Sequence, residues 1–581
     1  MKKIKTILLA MLCLILVACN ANTSINTDLE QINFEKSKNE FIKRASFQSK
    51  LDNTLSFALV GEPSNLNPFY YNDNSSKIIV NTLYSPLFRL KEENFEISYE
   101  FELLDGLIIS DDSLIYTLSL KKDTFWHDGS NLTINDLIFS INYAINNKDT
   151  RYLDSFYIDD RPVELEKVDE YTLNIKLPRA SSSFIYVLSD LLVVPEHIFS
   201  NNVPNIFTYD EEKYLIGNSA YKFKENSVNK DFNTNEINFI ANENYYKEKA
   251  IIENLKYRVV AHKTSTRYDL VDYNLQGGYL LNTDVAAFRN ELYNIRNLNE
   301  GKVISLLFKT NTKNGSNAEL RKAVSNIISP YSLLGHFGDN TNTSVANSVF
   351  GQNNIYRVNN PILNTASAGE AIEYLKELQL EDKDFSLRYG FIYNPGEAQE
   401  KIAVYLQEMF IANGLNLELV PLSEEEYEDF LKDNNQEKID FCIYKYDTNK
   451  NPNYYKNIFM KDSPLNYSGY SNKDLDTLWS KADSTINFLE RVKIYNEIQN
   501  ILLDERPVFP LLYENTTLAV DDRIENIDLA VANSVSFFNN LNLLSIKEFS
   551  YTEKDLEKFD LNKNDIERKP SYDAVNTKID E

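Results

Sequence analysis

Cysteine, histidine and long apolar runs are scarce in this chain, and each scarcity excludes something. Three cysteines occur in 581 residues, Cys13, Cys19 and Cys442. Cys13 lies inside an N-terminal apolar run and Cys19 at its end, so a processed chain leaves Cys442 without a second thiol for an internal disulfide. A chain of this length has core enough to do without such staples. Beyond residue 18 nothing approaches the ~20 apolar residues that a bilayer-spanning helix needs. Positive charge is in deficit, 60 Lys and Arg against 86 Asp and Glu, for a net charge of −26. That field repels phosphate, which argues against nucleic acid as a partner. Four histidines, His127, His197, His262 and His336, are too dispersed for a local metal motif. The zinc helix His-Glu-x-x-His, the Gly-x-Ser-x-Gly elbow, the phosphate-cradling loop and Cys-x-x-Cys are all missing. Asp560, Asn562 and Asn564 imitate a calcium loop, but Asp565 and Ser571 stand where Gly and Glu are required. The expectation is a protein that is not an enzyme and carries no cofactor or metal.

What is present is a globular composition, 43% hydrophobic and 25% charged, with length for three to four domains at ~150 residues each. Lys2, Lys3 and Lys5 precede an apolar run from Ile7 to Ala18, which is the pattern of an export signal. Its end, Leu16-Val17-Ala18-Cys19, resembles a bacterial lipobox. The resemblance implies cleavage before Cys19 and lipid on that cysteine, two or three acyl chains holding the protein on a membrane. An ordinary secretory signal with a chance cysteine is the alternative. Cleavage there removes three lysines and no acidic residue, taking the net charge from −26 to −29. Residues Asn20 to Asn53 are polar and read as a flexible tether.

The fold is expected to begin near Leu55, where Leu55, Phe57 and Leu59 alternate as in a strand before Gly61-Glu62-Pro63. Tyr116, Leu118 and Leu120 form a second such strand, leading through Phe125-Trp126 into the turn Asp128-Gly129. Thr133 and Asp136 have the form of a capping box for a helix whose face is Ile134, Leu137, Ile138, Ile141 and Ile145. Ile402, Leu406 and Phe410 read as a helix stopped at Asn413-Gly414, with Leu415, Leu417 and Leu419 as the following strand. Ser471 with Asp474 is expected to cap one long helix through Leu475, Leu478, Ala482, Ile486, Leu489, Tyr495, Ile498 and Leu502, ended by Pro507. This is mixed α/β patterning. Aromatics are abundant, 37 Tyr and 33 Phe, with clusters at Tyr70-Tyr71, Tyr245-Tyr246, Tyr444 with Tyr446, and Tyr454-Tyr455. Such clusters suit a ligand cleft, or reflect nothing more than an AT-rich coding sequence.

The order of segments resembles the family 5 extracellular solute-binding proteins, the peptide and nickel receptors of bacterial ABC importers. Glu62-Pro63-Ser64-Asn65-Leu66-Asn67-Pro68 is similar to the family's opening, with Asn67 in place of its usual Asp. Leu83-Tyr84-Ser85-Pro86-Leu87 follows. Phe125-Trp126-His127-Asp128-Gly129 resembles the family's Phe-x-His-Asp-Gly signature, in which His127 belongs to a structural turn. Asn311, Leu320-Arg321-Lys322-Ala323, Gly469-Tyr470-Ser471-Asn472 and Arg506-Pro507-Val508-Phe509-Pro510-Leu511 match later segments. Gly217-Asn218-Ser219-Ala220-Tyr221 departs from the family's Gly-Thr-Gly-Pro-Tyr.

The resemblance implies an α/β two-lobed clamshell of the type II periplasmic-binding-protein kind, with an extra subdomain in its first lobe. The expected division is signal 1–18, tether 19–53, first lobe 54–92, 197–300 and 512–550, extra subdomain 93–196, second lobe 301–511 and charged tail 551–581. The implied function is a monomeric receptor that captures oligopeptides between its lobes for a permease and ATPase. It would sit on the outer face of the bacterial cell membrane, attached only by lipid on Cys19. The same fold binding a nickel chelate, haem or a glycan, or serving as a signalling-peptide or adhesion lipoprotein, is the alternative. Peptide-binding members place an Asp in the second lobe against the ligand's ammonium, and Asp447 is the nearest match. Tyr444 and Tyr446 are expected to flank the peptide backbone, and Asn72, Asp73 and Asn74 to contribute from the first lobe.

Overall fold

The structure is a computed structural model describing residues 53–546 except 94–95, 153, 230–233, 272–274, 282–292, 337–341, 359–367, 394–397, 434–435, 522 and 531–538. Cys19 and the charged tail lie outside the described residues. Local signals act as the sequence implies. Thr54–Val60 is a strand with Leu55, Phe57 and Leu59 buried. Thr133 and Asp136 close their capping box, the Asp136 carboxylate accepting from the Thr133 backbone at 2.8 Å, and the helix Ile134–Asn146 buries Leu137 and Ile141. Gly414 takes φ +74° behind the helix Ala398–Ala412, before the strand Leu417–Leu422.

The long helix expected after Ser471 is instead two. Asn472, not Ser471, caps α1, Lys473–Ser484, and Asn487 caps α2, Phe488–Glu505, by accepting from the Glu490 backbone at 3.0 Å. The apolar face expected to run through both helices does not, because Ile486 and Leu489 sit exposed at the break. An Asn side chain offers the new helix a local acceptor, and that competes well with continuation.

One eleven-stranded sheet takes strands from both ends of the described chain, from Thr54–Val60 to Val508–Asp521. Its two longest strands, βA of Tyr293–Phe308 and βB of Val508–Asp521, run antiparallel from the Tyr293–Asp521 pair to the Leu307–Val508 pair. Leu298 on βA and Leu518 and Val520 on βB pack in a core with residues of the first half of the chain, such as Phe57, Leu137 and Tyr257. Val303, Leu307, Val508 and Tyr513 pack in a second core with Trp479 and Tyr495, and Leu306 and Leu511 in a third with Leu406 and Phe441. The same two strands thus serve two lobes. Register slips between Leu298 and Gly301, where the strands change core. Gly301 is required there, since a Cβ would lie 2.0 Å from the Glu514 carbonyl oxygen. Its amide donates to Thr448 Oγ1 at 3.1 Å, and its carbonyl accepts from the Thr448 amide at 3.0 Å. A separate four-stranded sheet, Leu104–Ile109, Ile115–Leu120, Thr172–Lys176 and Glu164–Lys167, belongs to the first lobe. Among the described residues no helix is long and apolar enough to cross a membrane.

Candidate functional site, an interlobe cleft

Between the lobes lies a cleft of about 1940 Å³. Its first-lobe wall begins at Tyr71, two residues before Asp73 caps the helix Asn74–Leu83. The Arg151 guanidinium lies 4.6 Å from the Tyr71 ring centre and 4.5 Å from that of Tyr152, and bonds Asp190 Oδ2 at 2.6 Å. Burial disfavours its charge, but Asp190 and the two tyrosines outweigh that and hold its pKa above the usual range. Lys91 pairs with Glu100, Arg179 with Asp159 and Arg296 with Asp528, all at 3.2 Å or less. Each of these pairs lines the cleft. Much of the wall's charge is therefore neutralised locally, on a chain whose net charge is strongly negative. Such a wall suits a polar ligand of low net charge, held by hydrogen bonds and water rather than by one dominant field.

Glu92 lines the same cleft, and its carboxylate accepts from the Tyr186 hydroxyl at 2.7 Å. Burial raises its pKa, partly offset by the Tyr186 hydrogen bond and Lys450. Lys450 reaches from the second lobe to donate to the Leu90 carbonyl at 3.3 Å. The second-lobe wall continues through Asn449, Asn453 and Tyr454 to Asp476. Asp476 has a pKa raised by burial, with Lys456 opposing and Asp462 adding to the shift.

The residues singled out from the sequence are placed differently from one another. Asp447 ends the strand Phe441–Asp447 on its exposed side, and its carboxylate bonds Lys302 Nζ at 2.6 Å. Its amide donates to the hydroxyl of Tyr454, a cleft residue. Tyr444 and Tyr446 alternate with it onto the inner face and are 8% and 2% exposed. Their rings lie 5.7 Å apart, and the Tyr446 hydroxyl donates to the Val349 carbonyl at 2.8 Å. They pack in the second-lobe core instead of standing in the cleft wall, because a strand turns alternate side chains to opposite faces. Asp73 is occupied as a helix cap: its carboxylate accepts from the Ser76 amide at 2.8 Å and from the Ser64 and Ser76 hydroxyls at 2.6 Å. Burial would raise its pKa, but these bonds outweigh it and lower the value. Asn72 and Asn74 beside it are exposed. The structure thus brings Tyr444 and Tyr446 together, with Asp447 next along the strand. It sets them in the second lobe, apart from the Asn72–Asn74 turn of the first.

His127 is a structural residue. Its Nδ1 accepts from the Gly217 amide at 3.1 Å, and its Nε2–H donates to the Ser219 carbonyl at 3.1 Å. The signature turn is thereby clipped to Gly217-Asn218-Ser219. Gly217 has no room for a side chain, since a Cβ would lie 1.9 Å from the Leu83 carbonyl oxygen.

Arg151, Tyr186, Glu92 and Asp483 had no sequence signal. Each is one charged or aromatic residue among many, and only the juxtaposition of distant segments makes it part of a wall.

Comparison with known proteins agrees with this architecture. Residues 101–465 match the profile of the bacterial extracellular solute-binding proteins, family 5 middle region. The oligopeptide-binding protein AppA of Bacillus subtilis is 23% identical over 515 residues, covering 84% of this chain and 91% of AppA. Heme-binding protein A of Haemophilus influenzae is 23% identical over 546 residues, covering 88% and 94%. The solved structure of the ABC transporter substrate-binding protein CtaP from Listeria monocytogenes superposes with a TM-score of 0.78 at 26% identity, covering 85% of this chain and 99% of CtaP. The fold is that of the type II periplasmic binding proteins. With more than half of its length matched and a two-lobed frame around a cleft, the chain belongs to the bacterial extracellular solute-binding proteins of family 5, which bind a solute and do not transform it.

Proposed function

We propose that this protein captures oligopeptides in the interlobe cleft and delivers them to the permease and ATPase of an ABC importer. In this reading it is a monomer held by lipid on Cys19 at the outer face of the bacterial cell membrane. The observation that carries the reading is the cleft itself. At about 1940 Å³ it exceeds the ~300–1,000 Å³ of pockets for small molecules, and its paired charges leave selection to hydrogen bonds, which a peptide backbone supplies at every residue. The names of AppA and CtaP, one oligopeptide-binding and one a transporter component, support it. Native mass spectrometry of the purified protein, followed by denaturation and sequencing of what is released, tests the ligand. Short peptides of mixed sequence are expected. A single non-peptide species would instead support the second reading, for which the haem-binding relative is the observation. Metabolic labelling with palmitate, lost on Cys19→Ser, tests the anchor.

Asp447 is the proposed partner of the ligand's ammonium, which requires that it exchange Lys302 for the ligand on binding. Asp447→Asn is then expected to weaken peptide binding at least tenfold, as truncation of a hydrogen-bonded charge pair does. Unchanged affinity by titration calorimetry would remove the assignment and turn the search to carboxylates that line the cleft, such as Glu92 and Asp476.

A further inference from the structure

The two lobes touch through a contact that neither connecting strand supplies. Asp483 lies in the last turn of α1, in the second lobe. A carboxylate there is opposed by the helix dipole, which favours cations at a C-terminus. Its side-chain partners come from the first lobe. Oδ1 accepts from the Ser183 hydroxyl at 2.7 Å, the Ser181 hydroxyl at 2.9 Å and the Ser183 amide at 3.2 Å. Oδ2 accepts from Arg179 Nη1 at 2.9 Å. The Asp483 backbone carbonyl also accepts from the Ser182 amide at 2.7 Å. Asp483, Ser181 and Ser183 are all at least nine-tenths buried. Beside them Asn453 Nδ2, again from the second lobe, donates to Ser183 Oγ at 2.6 Å.

We infer that Asp483 is a positioning residue of the binding site, a latch whose bonds to the Arg179–Ser183 segment set how far the lobes stand closed. The inference rests on the interlobe cleft as the ligand site, but not on which ligand occupies it. The two strands passing between the lobes hold neither the donors nor the acceptor. Rotation at the Leu298–Gly301 slip therefore breaks these bonds together while the cores of both lobes stay intact, and water then solvates Asp483 in the open state. The latch favours the closed state by the difference between charge-assisted bonds in a dry contact and hydration in an open one. It draws on no ligand atom, so it adds to the affinity for any ligand whose binding requires closure.

The test uses the chain expressed in full with Cys19→Ser, unfolded and refolded to remove any bound ligand, and compares Asp483→Ala, Asp483→Asn and Arg179→Gln. Small-angle X-ray scattering without ligand is expected to give a larger radius of gyration for Asp483→Ala than for the parent, with Asp483→Asn between them. A tryptic digest of casein serves as the peptide probe. Its binding is expected to weaken about ten- to a hundredfold in Asp483→Ala, chiefly through faster release. Alanine is the better helix former at this position, so each lobe is expected to keep its circular dichroism and unfolding midpoint. A radius of gyration equal to the parent's in all three variants would overturn the latch. A parent that binds no casein peptide would overturn the peptide reading alone, because the scattering comparison still decides the latch.

Discussion

Two buried titratable groups carry predictions at the scale of single residues. His127 is held as a neutral ring between Gly217 and Ser219, and its pKa is pushed down to about 4, by burial first and Lys222 next, against the Ser219 carbonyl and Asp128. Below its ordinary 6.5 the unfolded chain takes up a proton that the folded chain refuses. The stability is complete above that pH and is lost as pH falls toward 4, by about 3 kcal/mol in all. Urea unfolding at neutral pH and near pH 4 should show a smaller acid loss in His127→Gln than in the parent. Lys309 donates to the Leu431 carbonyl at 2.8 Å, and burial lowers its pKa to about 8, against the opposing pull of Cys442 and Asp433. Between pH 8 and its ordinary 10.5 the unfolded chain keeps a proton that the folded chain has released. The Lys309 contribution therefore rises with pH across that window, by about 1 kcal/mol per unit. The stability difference between the parent and Lys309→Met should move in the parent's favour from pH 8 to pH 10.

At the scale of elements, helix ends decide several assignments. Asp73 came forward from the sequence as a ligand residue, while the structure gives its carboxylate to the start of the helix Asn74–Leu83. Asp73→Ala should then lower stability by about 0.5–2 kcal/mol, the usual range for losing such a cap. Peptide affinity should stay near the parent's in calorimetry; a large loss of affinity with unchanged stability would restore the ligand role. The capping box at Thr133 was legible because both of its partners lie within four residues. The break at Asn487 was recorded locally too: at about 100° per residue Tyr495, Ile498 and Leu502 lie about half a turn round from Leu475, Leu478 and Ala482, a change of phase that one continuous helix would not show. Tyr444 and Tyr446 read as one cluster whether they face a core or a cleft. Which face of the strand is covered depends on elements far away in sequence, such as the helices that supply Trp479 and Tyr495.

For the whole molecule, βA and βB are the only place in the main sheet where first-lobe and second-lobe cores share strands among the described residues. Gly301 sits at that passage, and Gly301→Ala would press a methyl against the Glu514 carbonyl. The expected result is a loss of about 1–3 kcal/mol in unfolding experiments, the usual range for overpacking a filled site. A change in lobe separation should accompany it in scattering. An unaltered unfolding curve would mean that the strand pair yields freely there.

The sequence by itself determined what depends on neighbours along the chain. The strand at Leu55, the capping box, the Gly414 stop and the α/β class follow from period, caps and turns, and the signature around His127 was enough to suggest the family. Tertiary structure alone decided what depends on segments brought together from afar: the cleft wall of Arg151, Glu92 and Tyr186, the covered face of Tyr444 and Tyr446, and the bonds of Asp483 to Arg179 and Ser183. The reason is physical. A cap or a turn is satisfied by atoms a few residues away, whereas a wall between lobes is completed by side chains some 300 positions apart, as Ser183 and Asp483 are, and nothing local in the chain records that meeting.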